Sequence, residues 1–153
     1  MRFPSVSGDN LNREQMSLPD DLAGRLNLVF VAFQRLQQIS VNTWVPFAAD
    51  LETRFDGLRY YEVPTLSLRY RLGKAAIDGG MRGGIPDKST RARTITVYID
   101  KRRFRDALDI PDEDEIQVLL LDNSGEVIWR TLGEFSQEKA DELEELVSAR
   151  LDA

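Results

Sequence analysis

The sequence predicts an α/β domain in which helices flank a central mixed β-sheet. Apolar segments of strand length alternate with segments of helical periodicity, and the last third contains two strands followed by an amphipathic helix. The succession of strand, helix and strand indicates a right-handed crossover between parallel strands, and the terminal pair of strands completes the sheet. A chain of 153 residues has the length of one domain, so we predict a single domain over residues 1–153.

The N-terminal half supplies a buried strand, a long helix and a second strand. Residues Leu26–Phe33 are almost all apolar, as expected of a strand that is covered on both faces. Apolar residues at helical spacing follow from Leu36 to Phe55, and Pro46 is expected to kink or split that helix. A second strand is expected over Leu58–Val63, where it ends before Pro64.

The middle of the chain is expected to hold an insertion and a third strand. A helical stretch, Leu66–Ile77, leads into the glycine-rich segment Asp78–Pro86. Thr94–Ile99 has the β-branched composition of a strand. Asp100 then offers a cap for a short helix over Lys101–Leu108.

The C-terminal third predicts a β-hairpin and a helix. Strands are expected over Ile116–Asp122 and Glu126–Leu132, and Gly125 in the turn between them is expected to supply a positive φ. Ser136 is a suitable N-cap for the helix that follows. One apolar stripe marks the buried face of this helix: Leu143, Leu146, Val147 and Leu151.

The absence of cysteine and histidine removes much of the chemistry that enzymes use. The chain contains neither residue, which excludes disulfides, thiolate nucleophiles and imidazole bases. We therefore predict no catalytic residue, no metal, no cofactor and no enzymatic activity. The first ten residues lack the apolar core of a signal peptide, and no apolar run has the length of a membrane span, which predicts a cytoplasmic location.

The charge is distributed unevenly. Between Arg59 and Arg105 there are twelve Lys/Arg and four Asp/Glu, a net charge of +8, and the remainder of the chain carries −14. Such a segment can attract an anionic partner or a membrane surface, or it can pack beside the acidic remainder. No nucleic-acid-binding module accompanies the basic residues, so a nucleic-acid partner is not expected. The acidic run Asp112–Glu115 lacks the spacing of a calcium loop and predicts a solvated turn.

Three segments resemble the thioredoxin-like superfamily. They are LNLVFVAF followed at once by a helix, the terminal stretch VLLLDNSGEVIWRTLGEFSQEKADELEELV, and the opening LNREQMSLPDDLAGR. The last is similar to the N-terminal β-hairpin extension of peroxiredoxin-like and thiol-reductase-like proteins. In this register the redox cysteines correspond to Leu36 and Ile39, and the family's cis-proline corresponds to Gln117. The resemblance thus implies a thioredoxin-like fold whose redox site is lost.

A second resemblance concerns four further stretches. They are FQRLQQISVNTWVPF, YYEVPTLS, IDGGMRGGIPDKSTRARTITVYID and IQVLLLDNSGEVIWR. These are similar to the mitochondrial ATP-synthase assembly-factor-ten family and its bacterial relatives. That resemblance implies a non-enzymatic chaperone that helps a membrane subunit to assemble. The first residues do not have the composition of a mitochondrial presequence. The resemblance therefore supports the fold more strongly than it supports the specific ATP-synthase role.

Two groups of residues are candidates for binding. The first lies where the redox site would be and comprises Gln34, Arg35, Gln37 and Trp44, although a large aromatic such as Trp44 more often belongs to a core. The second lies in the glycine-rich segment and comprises Gly79, Gly80, Arg82 and Gly83. Its backbone N–H groups and guanidinium can hold an anion, or the segment is simply a loop.

Two functions follow from these candidates. The first is a non-catalytic module for protein interaction, assembly or chaperoning, whose partner is a protein. The alternative is a protein that binds an anion or a small molecule through Arg35, Arg82 and the glycine-rich loop.

Overall fold

The computed structural model describes residues 1–68 and 88–151. In these residues the strands are β1 (Val6–Asn10), β2 (Gln15–Leu18), β3 (Leu26–Ala32), β4 (Leu58–Ser67), β5 (Ile95–Ile99), β6 (Gln117–Asp122) and β7 (Val127–Leu132). The helices are a 3-10 turn (Arg35–Gln37), α1 (Gln38–Arg54), α2 (Lys88–Arg93), α3 (Lys101–Ala107) and α4 (Gln137–Arg150).

The strands form a mixed sheet in the order β2-β1-β5-β4-β3-β6-β7. Strand β4 runs parallel to both β3 and β5, whereas β1–β2, β1–β5, β3–β6 and β6–β7 are antiparallel pairs. All seven residues of β3 are buried, which agrees with its apolar sequence and its central place. The predicted α/β architecture, with a mixed sheet between helices and an N-terminal hairpin, is confirmed.

Helices cover both faces of the sheet. On one face α1 and α4 bury Trp44, Leu51 and Leu143 against Phe30 and its neighbours. On the other face α3 and the N-terminal residues bury Phe104 and Phe3 against Val29 and Val31. Alternate residues of β3 therefore serve two apolar cores, as the period of two in a strand requires.

Local signals in the sequence place several element ends correctly. Asp100 accepts a hydrogen bond from the Arg103 N–H at 3.2 Å, and Ser136 accepts one from the Lys139 N–H at 3.3 Å. Gly125 has a φ of +86° in the β6–β7 turn. These two N-caps and the glycine turn are confirmed.

Two prolines interrupt the elements less than the sequence predicts. Helix α1 is not split at Pro46, because its buried face continues on both sides of the proline with Val41, Trp44, Ala48 and Leu51, whereas a kink at Pro46 stays a prediction. The expected end of the second strand before Pro64 is wrong, since β4 continues through Pro64 to Ser67. Pro64 stands opposite Ala32, the last residue of β3, and the ladder with β5 begins at Thr65, so the proline falls where β4 changes partners.

The predicted insertion is described only at its edges. The expected helix over Leu66–Ile77 is wrong at its start, because Leu66 and Ser67 belong to β4 and pair with Tyr98 and Ile99. The rest of that stretch and the glycine-rich segment, with Gly79, Gly80, Arg82 and Gly83, lie outside the described residues.

Candidate functional site

The site forms where β3 ends and α1 begins. Buried Gln37 folds its side chain back so that Oε1 accepts hydrogen bonds from the N–H groups of Phe33 at 2.7 Å and Gln34 at 3.2 Å. These bonds satisfy two backbone donors at the start of the 3-10 turn, which otherwise have no partner within the helix. One predicted residue, Gln37, therefore fixes the shape of this turn.

The same glutamines join the turn to a distant loop. The Glu113 carbonyl oxygen, in the loop before β6, accepts from Gln37 Nε2 at 2.6 Å and from Gln34 Nε2 at 2.9 Å. We call these contacts of Gln34 and Gln37 the glutamine clamp. The clamp ties together segments that lie 76 residues apart in sequence.

Two cations of α3 complete this edge. Lys101 Nζ donates to the Phe33 carbonyl at 2.7 Å and lies 3.4 Å from Glu113 Oε1. Arg105 Nε lies 3.1 Å from Glu113 Oε2. Glu113 is thus a half-buried anchor for two cations, and for this residue the expectation of a solvated acidic turn is wrong.

The outer side of the clamped turn is apolar and exposed. Leu36 is 79% exposed and Ile39 is 69% exposed, and Arg35 beside them also faces solvent. We call Arg35, Leu36 and Ile39 the α1 tip. Most large apolar side chains among the described residues are buried, so two that are this exposed on the same turn are unusual.

A buried carboxyl group lies beneath the first turn of α1. Glu62, in β4, is 7% exposed and accepts a hydrogen bond from Gln38 Nε2 at 2.8 Å. Burial raises the pKa of the Glu62 carboxyl, and the Gln38 hydrogen bond and the charge of Arg93 offset that effect only in part. Gln38 also donates to Asn42 Oδ1 at 2.9 Å, so one amide bridges the sheet and the helix.

Other candidate residues lie elsewhere. Trp44 does not belong to the α1 tip: it is fully buried, and its Nε1 donates to the Gly133 carbonyl at 2.9 Å. Gln117, where the resemblance places the cis-proline, is buried at the start of β6 and accepts from Arg130 Nη2 at 3.2 Å. The cis peptide bond in the described residues is Leu18–Pro19 instead.

The helix start offers little to an anion. The N–H groups of Phe33 and Gln34 already donate to Gln37, and the Gln37 N–H donates to the Gln34 carbonyl at 3.0 Å, so these three donors are not available to an anion, whereas the Arg35 side chain is exposed. Among the described residues no three acidic side chains come together to hold a metal ion. No helix in the described part of the chain is long and apolar enough to cross a membrane.

Several solved structures with a similar architecture are thiol-disulfide proteins. A thiol:disulfide interchange protein from Bacteroides sp. aligns with a TM-score of 0.66 and 16% identity, over 96% of this chain and 88% of that one. The thioredoxin domain of a thiol-disulfide oxidoreductase from Bacteroides vulgatus aligns with a TM-score of 0.63 and 18% identity, over 96% of each chain. The exposed lipoprotein thioredoxin of Streptococcus pneumoniae gives 0.61 and 12%, over 95% and 99%.

This chain has a thioredoxin-like fold. Neither a protein-family model nor a curated protein matches the sequence, so the likeness is one of structure. The chain has no cysteine, and it therefore supplies no thiol for disulfide exchange. The register expected from the sequence assigns Leu36 and Ile39, which belong to the α1 tip, to the positions of the redox thiols.

Sequence reasoning found part of this site. It selected Gln34, Arg35 and Gln37, which the structure brings together at the turn. It missed Glu62, Lys101 and Glu113. One signal for Glu62 was present, since an acidic residue interrupts the otherwise apolar run YYEV.

Proposed function

We propose that this chain is a non-catalytic protein-binding module that uses the α1 tip as its contact surface. The observation that supports the proposal most is the exposure of Leu36 and Ile39 on a turn that the glutamine clamp holds in place. Contiguous exposed apolar side chains commonly mark surfaces for protein contact. The turn is already held in place, so binding of a partner would not incur the entropic cost of ordering it.

An assembly or chaperone role is the finer form of this proposal. The resemblance to the assembly-factor-ten family supports it, since those proteins are implied to be chaperones that help a membrane subunit to assemble. The partner would then be a subunit that is bound to this chain only while it is outside the finished complex. Such a subunit exposes apolar surface before assembly, which fits an apolar contact site.

The experiment compares capture of partner proteins by three forms of the purified chain. The wild type is set beside L36Q/I39Q, which removes the apolar side chains of the α1 tip. The control is A49Q/T53Q, which changes two exposed residues of the same helix. Glutamine is a good helix former, and all four positions are exposed, so each change should alter stability by no more than about 0.5 kcal/mol.

The proposal predicts a protein that is retained by the wild type and by A49Q/T53Q but not by L36Q/I39Q. For the assembly role, that protein should co-purify with this chain in its free form and not when it is part of a complex. Equal retention by all three forms would contradict the proposed contact surface.

A further inference from the structure

A second concave site lies away from the α1 tip, between the N-terminal hairpin and β4. It is a cleft of about 640 Å³. Its walls come from the hairpin and the loop after it, from the last turns of α1, from the start of β4 and from α2. A volume of this size is ordinary for sites that bind small molecules.

The cleft forms because β5 pairs only with the last residues of β4. Strand β5 pairs with β4 only from Thr65 onward, apart from a bridge between Glu62 and Thr94. Among the residues that the structure describes, the stretch of β4 before Glu62 therefore has an edge without a neighbouring strand on that side. Such an edge exposes backbone groups that need partners.

At this edge, side chains instead of a strand form hydrogen bonds with the backbone of β4. The Tyr60 N–H donates to Glu52 Oε2 at 3.1 Å, and the Tyr60 carbonyl accepts from Arg93 Nη1 at 3.1 Å. Arg93 also makes two hydrogen bonds to Glu52, at 2.9 and 3.0 Å, and lies 3.9 Å from the centre of the Tyr60 ring. The floor of the cleft is therefore rigid, and Glu52 and Arg93 neutralise each other.

The remaining charges of the cleft differ between its two sides. The hairpin side carries the exposed carboxylates of Glu14 and Asp21, and the β4 side carries the exposed guanidinium of Arg59. Glu14 accepts from Asn10 Nδ2 and Asp21 accepts from the Ser17 N–H, which are both neutral donors. Arg59 Nη1 donates to the carbonyls of Asp56 at 2.9 Å and Leu58 at 2.8 Å, which are neutral acceptors, and its charge also acts on Glu52. Within the described residues none of the three side chains forms an ion pair at contact distance.

We propose that this cleft binds a small basic amino acid of the lysine or arginine type. Two carboxylates and one guanidinium that line the same cleft are complementary in charge to a molecule that has two cationic groups and one carboxylate. The ligand's carboxylate would contact Arg59, and its two cations would contact Glu14 and Asp21. A diamine leaves Arg59 without an anion, and a neutral amino acid leaves one carboxylate without a cation, so both fit less well.

The test is calorimetric titration of the full chain with L-lysine, 1,5-diaminopentane and L-alanine. Lysine carries both cations and the carboxylate, the diamine lacks the carboxylate, and alanine lacks the second cation. The proposal predicts saturable lysine binding that weakens as salt is raised, because partly exposed charges are screened. It also predicts that lysine binds at least about tenfold more tightly than either of the others.

Three variants locate the binding. E14Q keeps an acceptor for Asn10 but removes a charge, and R59Q removes the cation; each should weaken lysine binding about tenfold. R59K keeps the cation and should retain most of the binding. R102Q, an exposed residue of α3, is the control and should bind like the wild type.

Melting temperatures measured without ligand show whether each variant is folded. If R59Q is destabilised, the decision rests on E14Q, whose side chain is exposed. Absence of saturable lysine binding would overturn the proposal. Equal binding of lysine and the diamine, or unchanged binding by E14Q, would overturn it as well.

Discussion

Glu62 shows how a single buried residue makes the stability of this fold depend on pH. Its carboxyl group lies under α1 with a neutral donor, Gln38, at hydrogen-bond distance. Arg93, the charged group that acts on it from α2, is bound to Glu52. Burial therefore outweighs the favourable contacts, and the Glu62 pKa lies above its ordinary range.

Replacing this carboxyl with an amide tests that balance. Because its folded-state pKa is the higher one, the contribution of Glu62 to the stability of the wild type should decrease as pH rises from the ordinary glutamate pKa through the raised value. E62Q does not titrate and can still accept from Gln38, so it should be more stable than the wild type at neutral pH. Urea unfolding across the acidic to neutral range measures the difference, which should shrink toward acid. A variant that is less stable at neutral pH would contradict this account of Glu62.

At the scale of elements, the glutamine clamp connects β3, the 3-10 turn and the loop before β6. Removing the Gln37 side chain leaves the Phe33 and Gln34 N–H groups without their acceptor. Q37A should therefore lower the free energy of unfolding by about 1–3 kcal/mol. Hydrogen exchange at Phe33 and Gln34 should become faster.

The matched control for the clamp is Q137A. Gln137 is exposed, and its side chain donates to Asp141 on the same helix, at 2.8 Å. Its loss should change stability by no more than about 0.5 kcal/mol. If Q37A and Q137A behave alike, the clamp does not hold the turn.

The β6–β7 turn depends on one glycine. Gly125 has a φ of +86°, and a Cβ placed there would lie 2.5 Å from Pro19 Cγ. G125V should thus cost at least about 2 kcal/mol, from backbone strain together with the clash. Chemical unfolding of G125V beside N123V, an exposed position in the same turn, checks this. A cost for N123V as large as that for G125V would contradict the role given to glycine.

At the scale of the whole molecule, signals that act locally in sequence predicted most elements. The apolar run of β3, the Asp100 and Ser136 caps and Gly125 each act on residues close by, so the sequence displays them directly. The continuations through Pro46 and Pro64 were not predictable in this way. They depend on which faces are buried and on where β4 changes partners, and tertiary packing decides both.

The α1 tip with its glutamine clamp, and the cleft beside β4, were harder to predict than the helices and strands. Gln34 and Gln37 were selected because they follow β3, but their acceptor is Glu113, and the Lys101 contact reaches back 68 residues. The cleft draws its walls from the hairpin, α1, β4 and α2. Such sites arise from long-range contacts, which periodicity and spacing do not encode.

The central claim is that the position of the redox thiols has become a contact surface for a partner protein. The most direct measurement places a photo-reactive amino acid at position 36 in the cells that produce the chain, with position 53 as the control. Position 53 lies on the same helix, and at 1.5 Å per residue it is about 25 Å from position 36. The proposal predicts a discrete protein adduct from position 36 that excess wild-type chain suppresses and excess L36Q/I39Q does not. The same adducts from both positions, or none from position 36, would contradict it.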